Sequence, residues 1–239
     1  MNLITISGPP SSGKTSLILK TAESFKRRGI KVGVVKFDCL YTDDDKLYEK
    51  NGIPVKKGLS GSLCPDHFFV SNIEEVVKWG IAENLDILIT ESAGLCNRCS
   101  PYIKDIKAVC VIDNLSGINT PKKIGPMIKM ADIVVITKGD IVSQAEREVF
   151  ASRVMSVNPK AVIMHVNGLN GQGAYEFGML LCDNVEEIRS IKGKELRFPM
   201  PSALCSYCLG ETRIGEEHQM GNVRKMNLGC ECKGAKDEK

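Results

Sequence analysis

The fold is decided by the stretch Gly8-Pro9-Pro10-Ser11-Ser12-Gly13-Lys14-Thr15. Its spacing, G-x-x-x-x-G-K-T, is typical of a loop whose backbone N–H groups surround the phosphates of a nucleotide. The apolar run Leu3-Ile4-Thr5-Ile6 precedes it, and an amphipathic pattern over about Lys14–Arg28 follows it. A strand that feeds the loop and a helix that begins at the lysine are the context that phosphate binding requires. The sequence therefore predicts a P-loop NTPase fold.

The residues of this loop have distinct expected roles. Lys14 is expected to reach the β- and γ-phosphates and to be catalytic, whereas the Thr15 hydroxyl is expected to bind Mg²⁺. The other nucleotide contacts expected here are Gly8, Ser11, Ser12, Gly13 and Ser16. The positive end of the following helix faces the same phosphates.

Composition excludes several classes of protein. The 239 residues are 43% hydrophobic and 26% charged, and a net charge of +3 gives no support for nucleic-acid binding. No apolar run approaches the roughly 18–20 residues that cross a bilayer. Because the first strand begins at once, without a signal peptide, we expect a cytoplasmic protein with neither nucleic acid nor membrane as a partner.

Short apolar segments alternate with helical patterns along the chain. Strands are predicted at Leu3–Ser7, Lys31–Phe37, Ile87–Thr90, Ala108–Ile112, Ile133–Thr137 and Val162–His165. Besides the first helix, helices are predicted near Ile73–Ala82, Ser143–Ser156, Tyr175–Cys182 and Val185–Ser190. This alternation predicts an α/β fold with a doubly wound, mostly parallel sheet. We place a P-loop GTPase domain at 1–195 and a small, irregular, cysteine-rich extension at 196–239, where the periodicity stops.

Ten cysteines in a chain expected to lie in a reducing compartment indicate metal or iron–sulfur binding rather than disulfides. The clustered ones are the pair Cys96 and Cys99 and, in the extension, Cys205, Cys208, Cys230 and Cys232. The C-x-x-C and C-x-C spacings of the extension suit zinc or a [4Fe-4S] cluster, and mobile thiols are the alternative. Whether the six thiols form one site or two stays open.

Two further segments carry nucleotide-binding signals. An apolar strand ends in Glu91, which is expected to be a catalytic residue that lies beside Mg²⁺, and the amide of Gly94 is expected to sense the γ-phosphate. The run Thr137-Lys138-Gly139-Asp140 is typical of guanine recognition, because one carboxylate can accept from N1–H and the exocyclic amine together. A plain turn is the alternative there. The loop that begins at Asn167-Gly168 is expected to close over the base.

Together these motifs resemble those of the nickel-maturation GTPases, most closely the urease accessory GTPase and next the hydrogenase accessory GTPase. The resemblance covers about residues 1–190. The segment Val34–Thr42 is similar to that family's Asn-Asp-Ile-Tyr-Thr switch segment, which implies that Asp38 is a catalytic carboxylate near Mg²⁺ and the attacking water. Glu91-Ser92-Ala93-Gly94 is similar to its Glu-Ser-Gly-Gly. The family further implies GTP, slow intrinsic hydrolysis and a homodimer, with Asp113–Pro126 near the subunit contact.

The run Cys64-Pro65-Asp66-His67 is similar to the family's Cys-Pro-His, where two subunits each give a cysteine and a histidine to one nickel or zinc ion. Here Asp66 is inserted before the histidine. The resemblance implies that Cys64 and His67 are metal ligands, and a structural role is the alternative. The pair Cys96 and Cys99 has no counterpart in the urease-type pattern.

The expected function is that of a GTP-hydrolysing metallochaperone. It would help to assemble or insert a nickel or iron–sulfur centre in a client metalloenzyme, directly or through accessory proteins. Nucleotide binding would order the segments of Asp38 and Glu91 and move the cysteines that follow. One alternative is an iron–sulfur reductase with ATPase activity, in which Cys96 and Cys99 hold a cluster across a dimer. Another is a non-catalytic switch with structural zinc.

Overall fold

The computed structural model describes residues 1–94, 99–183, 186–199, 209–226 and 228. Its strands are β1 (Asn2–Ser7), β2 (Val32–Asp38), β3 (Val55–Leu59), β4 (Ile87–Ser92), β5 (Lys107–Asp113), β6 (Ile133–Thr137) and β7 (Val162–His165). Its helices are α1 (Lys14–Arg27), α2 (Asp44–Lys50), α3 (Pro65–Ala82), α4 (Thr120–Lys123), α5 (Gly125–Lys129), α6 (Gln144–Val157) and α7 (Ala174–Cys182). The seven strands pair in parallel in the order β3-β2-β4-β1-β5-β6-β7. The doubly wound α/β fold is thereby confirmed.

Helices cover both faces of the sheet, and alternate strand residues point to opposite faces. On one face, Ile4 and Ile89 pack with side chains of α1, α2 and α7. On the other face, Leu88 packs with α3, and Cys110 packs with α5 and α6. Cys110 is therefore a buried core residue, as its apolar strand indicates.

The structure corrects several sequence-based boundaries. It adds β3, an edge strand with two lysines, and α2, a short helix rich in charge. Helix α3 begins at Pro65 rather than near Ile73, with Cys64 as its N-cap. The helix predicted at Val185–Ser190 is wrong, because residues 186–190 have no helical structure.

The described residues of the region that the sequence predicts as an extension, 196–239, pack on the preceding part of the chain. The Arg197 guanidinium donates to both carboxylate oxygens of Asp132 and to the carbonyls of Ile103, Ile106 and Met130. Further along, residues 224–226 bind to α3. Cys96, Cys205, Cys208, Cys230 and Cys232 lie outside the described residues.

Across the described ranges, no helix combines the length and the apolar character needed to cross a bilayer.

Candidate nucleotide and metal sites

The carboxyl ends of β1, β2, β4 and β6 meet at one edge of the sheet, where ligands bind in open α/β folds. The loop after β1 turns through Gly13, whose φ of 87° is left-handed, and α1 begins directly at Lys14. The strand and the helix predicted around the loop are therefore both present. This arrangement points the N-terminus of α1 at the space above the sheet edge.

Lys14 is almost fully buried at this edge. Its Nζ donates to the carbonyl oxygens of Gly8 at 2.9 Å and of Pro9 at 2.7 Å. Burial lowers the pKa of Lys14 to about 8, although the nearby carboxylate of Glu91 opposes the shift. Among the described residues its hydrogen bonds go to neutral carbonyls, and a buried ammonium in that setting is a strong partner for an anion.

Glu91 lies at the centre of a buried polar network. It has no exposed surface, and its Oε2 accepts from the Tyr48 hydroxyl at 2.7 Å. Its Oε1 lies 2.7 Å from Lys36 Nζ and 2.9 Å from Thr15 Oγ1. Burial alone would lower the pKa of Lys36, but Glu91 and Asp44 raise it above its ordinary value. The network therefore contains an ammonium that is paired with two carboxyl groups, those of Glu91 and Asp44.

The carboxylate that contacts Thr15 together with Glu91 comes from α2. Asp44 Oδ2 lies 2.9 Å from Thr15 Oγ1 and 2.7 Å from Lys36 Nζ. Asp38 instead accepts from the backbone amide of Cys39 at 2.8 Å. These side chains face a space of about 490 Å³, which we call the phosphate cleft. Its polar lining residues outside the loop, and those at the start of α1, are Lys14, Thr15, Ser16, Lys36, Asp38, Asp44, Glu91 and Lys138. The other lining residues are Pro10, Ser11 and Gly13 of the loop, with Leu47 and Ala93.

Sequence reasoning missed Lys36, Asp44 and Tyr48. The available signal was Lys36 itself, a charged residue within the apolar strand Val34–Phe37. Such a residue requires a buried counter-charge, since an unpaired charge in the interior is very costly. Parallel pairing of β2 and β4 puts Lys36 directly beside Glu91.

Gly94 brings the segment after β4 into close contact with the phosphate loop. Its φ is +55°, and a Cβ atom there would lie 2.3 Å from the carbonyl oxygen of Gly8. Only glycine fits this approach. The phosphate loop and Gly94 are therefore in direct steric contact.

The predicted guanine-recognition residues lie together beside the loop. Thr137 Oγ1 donates to Ser12 O at 2.6 Å, and Lys138 Nζ donates to Ser11 O at 2.7 Å. Asp140 is exposed and lines a cleft of about 120 Å³ with Arg147, His165, Asn167 and Gln172, as well as Ile136, Gly139 and Val166. A Cβ on Gly168 would lie 3.0 Å from Ser16, so that loop approaches the start of α1.

A second cluster lies at the start of α3. The ligand atoms of Cys64, His67 and Cys99 all lie within 4.8 Å of one another. The C-x-x-H spacing places Cys64 and His67 on one side of the first helical turn, because residues three apart are neighbours on a helix. Hydrogen bonds from Cys99 and His67 hold the pKa of the Cys64 thiol well below its usual range. We call this cluster the thiol–imidazole site.

Asp66, the inserted residue, contacts β4 instead of joining the thiol–imidazole site. Its Oδ1 accepts from the Ser92 hydroxyl at 2.5 Å, and the side chain is fully buried. Burial, with a contribution from the Cys64 thiolate, raises the pKa of Asp66 to about 7. Ser92 and Glu91 are consecutive on β4, so they point to opposite faces of the sheet. The end of β4 therefore lines the phosphate cleft through Glu91, and through Ser92 it contacts the residue that lies between Cys64 and His67 in the sequence.

A buried P-loop lysine, a P-loop threonine bonded to carboxylates and a parallel sheet that ends beside them define a P-loop nucleotide-binding protein. The model of the family described as CobW/HypB/UreG, nucleotide-binding domain, matches residues 2–165. The chain belongs to this family of P-loop proteins, which confirms the resemblance seen in its sequence.

Relatives extend this similarity. The chain is 48% identical to the uncharacterized protein MJ0120 of Methanocaldococcus jannaschii, over 98% of this chain and 100% of that one. It is 29% identical to the urease accessory protein UreG 2 of Methylorubrum populi, over 75% of this chain and 90% of that one. The structure of HypB from Helicobacter pylori in complex with nickel has a similar fold, with a TM-score of 0.59, 19% identity and coverage of 80% of this chain and 91% of that one.

Proposed function

We propose that this protein is a GTP-hydrolysing metallochaperone whose cargo is a nickel ion carried at the thiol–imidazole site. The observation that carries the proposal is the convergence of Cys64, His67 and Cys99 within 4.8 Å. Two thiolates and one imidazole suit nickel or zinc, and three protein ligands leave a coordination position from which a cargo ion can be transferred. The HypB structure of similar fold holds nickel, which favours nickel as the ion here.

The phosphate cleft is suited to a nucleoside triphosphate. Lys14, Lys36 and Lys138 line it and can balance phosphate charge. The Thr15 hydroxyl with the carboxylates of Glu91 and Asp44 forms the all-oxygen ligand set that Mg²⁺ prefers, and Asp38 stands nearby to orient water. A bound Mg²⁺ would neutralise charge that develops on the transferred phosphoryl group.

We propose that β4 couples the two sites. Contacts to nucleotide act on Glu91, and the same peptide segment positions Ser92 against Asp66 between Cys64 and His67. The tight approach of Gly94 to Gly8 makes the segment after β4 sensitive to any change in the phosphate loop. GTP binding and loss of the γ-phosphate would therefore alter the geometry, and so the affinity, of the nickel ligands.

Equilibrium nickel binding tests this function. We expect about one Ni²⁺ per chain, and Cys99→Ser should weaken its binding by about a hundredfold because one of three ligands is lost. Cys182→Ser is the matched control, since Cys182 is a free cysteine at the end of α7, outside the cluster. Nickel affinity should also differ between a non-hydrolysable GTP analogue and GDP. Equal affinity in both states would contradict the coupling, and equal binding by wild type and Cys99→Ser would contradict the site.

We propose guanine as the base that is recognised. Asp140 is exposed at the cleft beside Lys138, where it can accept from N1–H and the exocyclic amine of guanine. The amides of the Asn167–Gly168 loop are near the same cleft. Asp140→Asn should bring the GTP and ATP affinities together, whereas Asp183→Asn, a change on the surface beyond α7, should not. Similar GTP and ATP affinities in the wild type would refute guanine selection.

The proposed assembly is a homodimer that delivers the ion to a client metalloenzyme or to its accessory proteins. Exposed apolar side chains support an interface beside the phosphate cleft: Leu40 is 77% exposed and Tyr41 is 70% exposed, directly after Asp38. Light scattering with and without GTP analogue measures the assembly. We further propose a cytoplasmic location, where thiols such as Cys64 and Cys99 stay reduced and competent to bind metal.

The iron–sulfur alternatives are not favoured. Cys99, which the reductase hypothesis assigns to a cluster between subunits, lies with Cys64 and His67 of its own chain. A mixed set of two thiols and one imidazole suits a single ion better than a four-iron cluster, which uses thiolates. Zinc or a cluster in the extension remains a proposal for Cys205, Cys208, Cys230 and Cys232, outside the described residues.

A further inference from the structure

A lysine is buried among the carboxylates of the phosphate cleft. Lys36 is 4% exposed, and its Nζ lies 2.7 Å from Glu91 Oε1 and 2.7 Å from Asp44 Oδ2. The Thr15 hydroxyl oxygen lies 2.9 Å from each of these same two oxygens. One ammonium and one hydroxyl therefore share the two carboxylate oxygens.

These oxygens belong to the set that would hold Mg²⁺. A Mg²⁺ ion binds its oxygens at about 2.1 Å, so an ion on either carboxylate oxygen would lie within about 5 Å of the Lys36 ammonium. Because Glu91 and Lys36 are buried, water screens the repulsion between the two cations poorly. The ammonium and the divalent ion cannot both bind these oxygens tightly.

We propose that Lys36 is a placeholder for magnesium: its ammonium and Mg²⁺ bind Glu91 and Asp44 as alternatives. Mg²⁺ then enters only together with nucleotide phosphates, whose negative charge accepts the displaced ammonium. Lys36 can make this exchange because its flexible side chain also lines the phosphate cleft. The inference rests on the proposed nucleotide site, and it makes Lys36 a positioning residue of that site.

The exchange has a consequence for the nickel cargo. Without nucleotide, the Lys36 ammonium occupies the oxygens of Glu91 and Asp44, which disfavours a divalent ion on the same oxygens. A nickel ion is therefore left to the softer ligands of Cys64, His67 and Cys99. The two metal-binding functions are kept separate by one lysine.

Binding of Mn²⁺, a paramagnetic substitute for Mg²⁺, tests the proposal without measuring turnover. The free ion is titrated by electron paramagnetic resonance against the full chain without nucleotide, in a Cys64→Ser background that removes the thiol–imidazole site. Lys36→Met should create one Mn²⁺ site at least about tenfold tighter than any in the parent, because the competing ammonium is gone. Adding Asp44→Asn should remove that site again.

Lys57→Met is the matched control. Lys57 lies on the neighbouring strand β3 and pairs with Asp45 at 2.5 Å, so its loss frees a carboxylate of α2 outside the phosphate cleft. It should give no Mn²⁺ site. The proposal is overturned if the parent already binds Mn²⁺ as tightly as Lys36→Met, or if Lys57→Met gains the same affinity.

Two further measurements check that the variants fold and that the wild type binds nucleotide. Thermal unfolding shows whether Lys36→Met folds, and if it does not, Lys36→Gln replaces it, because its amide still donates to Glu91 without a charge. Binding of a fluorescent GTP analogue is measured on the same samples. Failure of the wild type to bind the analogue refutes the proposed nucleotide function, whereas the Mn²⁺ titration decides the role of Lys36 by itself.

Discussion

Replacing Lys14 with methionine should abolish nucleotide binding and yet stabilise the protein at neutral pH. Burial lowers the pKa of Lys14 from 10.5 to about 8, so the folded chain binds fewer protons than the unfolded chain between these values. The free energy of unfolding of the wild type therefore rises with pH through that window. At pH 7 the buried ammonium costs about 3 kcal/mol, and at pH 10 the cost falls below about 1 kcal/mol.

The variant also loses two hydrogen bonds to the carbonyls of Gly8 and Pro9, which offsets about 1 kcal/mol of the gain. Lys14→Met should therefore be more stable than the wild type by about 2 kcal/mol at pH 7 and no more stable at pH 10. Urea unfolding followed by circular dichroism measures both, in buffers without phosphate or sulfate. Lys26→Met, an exposed change on the same helix, should show no such pH dependence. A variant less stable than the wild type at pH 7 would refute the reasoning.

Three further substitutions test contacts in the phosphate cleft and between Arg197 and the residues it binds. Tyr48→Phe removes the 2.7 Å hydrogen bond to buried Glu91 and should lower the free energy of unfolding by about 1.5–3 kcal/mol; a loss below about 0.5 kcal/mol in urea unfolding would contradict that network. Arg197→Met removes five hydrogen bonds that fasten the extension and should cost about 2–3 kcal/mol, with faster proteolysis after residue 197 as the independent readout. Gly94→Ala places a Cβ 2.3 Å from Gly8 O and should cost about 1–3 kcal/mol while weakening GTP-analogue binding; unchanged affinity would show that the loop tolerates displacement.

The elements that sequence predicts well here are those whose signals are local. Buried parallel strands such as β5 are continuous apolar runs, and α1 has an apolar stripe and a glycine after its end. Strand β3 is not predicted from the sequence because it lies at the sheet edge, where Lys56 and Lys57 interrupt the apolar pattern. The sequence wrongly predicts a helix at Val185–Ser190. Ile188 is buried there by tertiary packing, and its amide donates to Met1 O instead of to a carbonyl of a helix.

The candidate site is predictable only where one segment carries the chemistry. The phosphate loop and Glu91 follow from sequence because each motif includes its own structural context. The grouping of Cys99 with Cys64 does not, since it depends on how the segment after β4 returns to the start of α3. Nor does the role of Asp44, which is one of three successive aspartates and is distinguished only by its contact with Thr15.

Hydrogen bonds join helix α3 to residues 224–226, near the end of the described chain. In the middle of that helix, the side-chain amide of Asn72 makes two hydrogen bonds to this segment. Its Nδ2 donates to Arg224 O at 2.9 Å, and its Oδ1 accepts from Met226 N at 2.7 Å. The helix carries Cys64 and His67 at its first turn. A displacement of residues 224–226 would therefore act on the helix whose first turn carries Cys64 and His67, without involving the phosphate cleft.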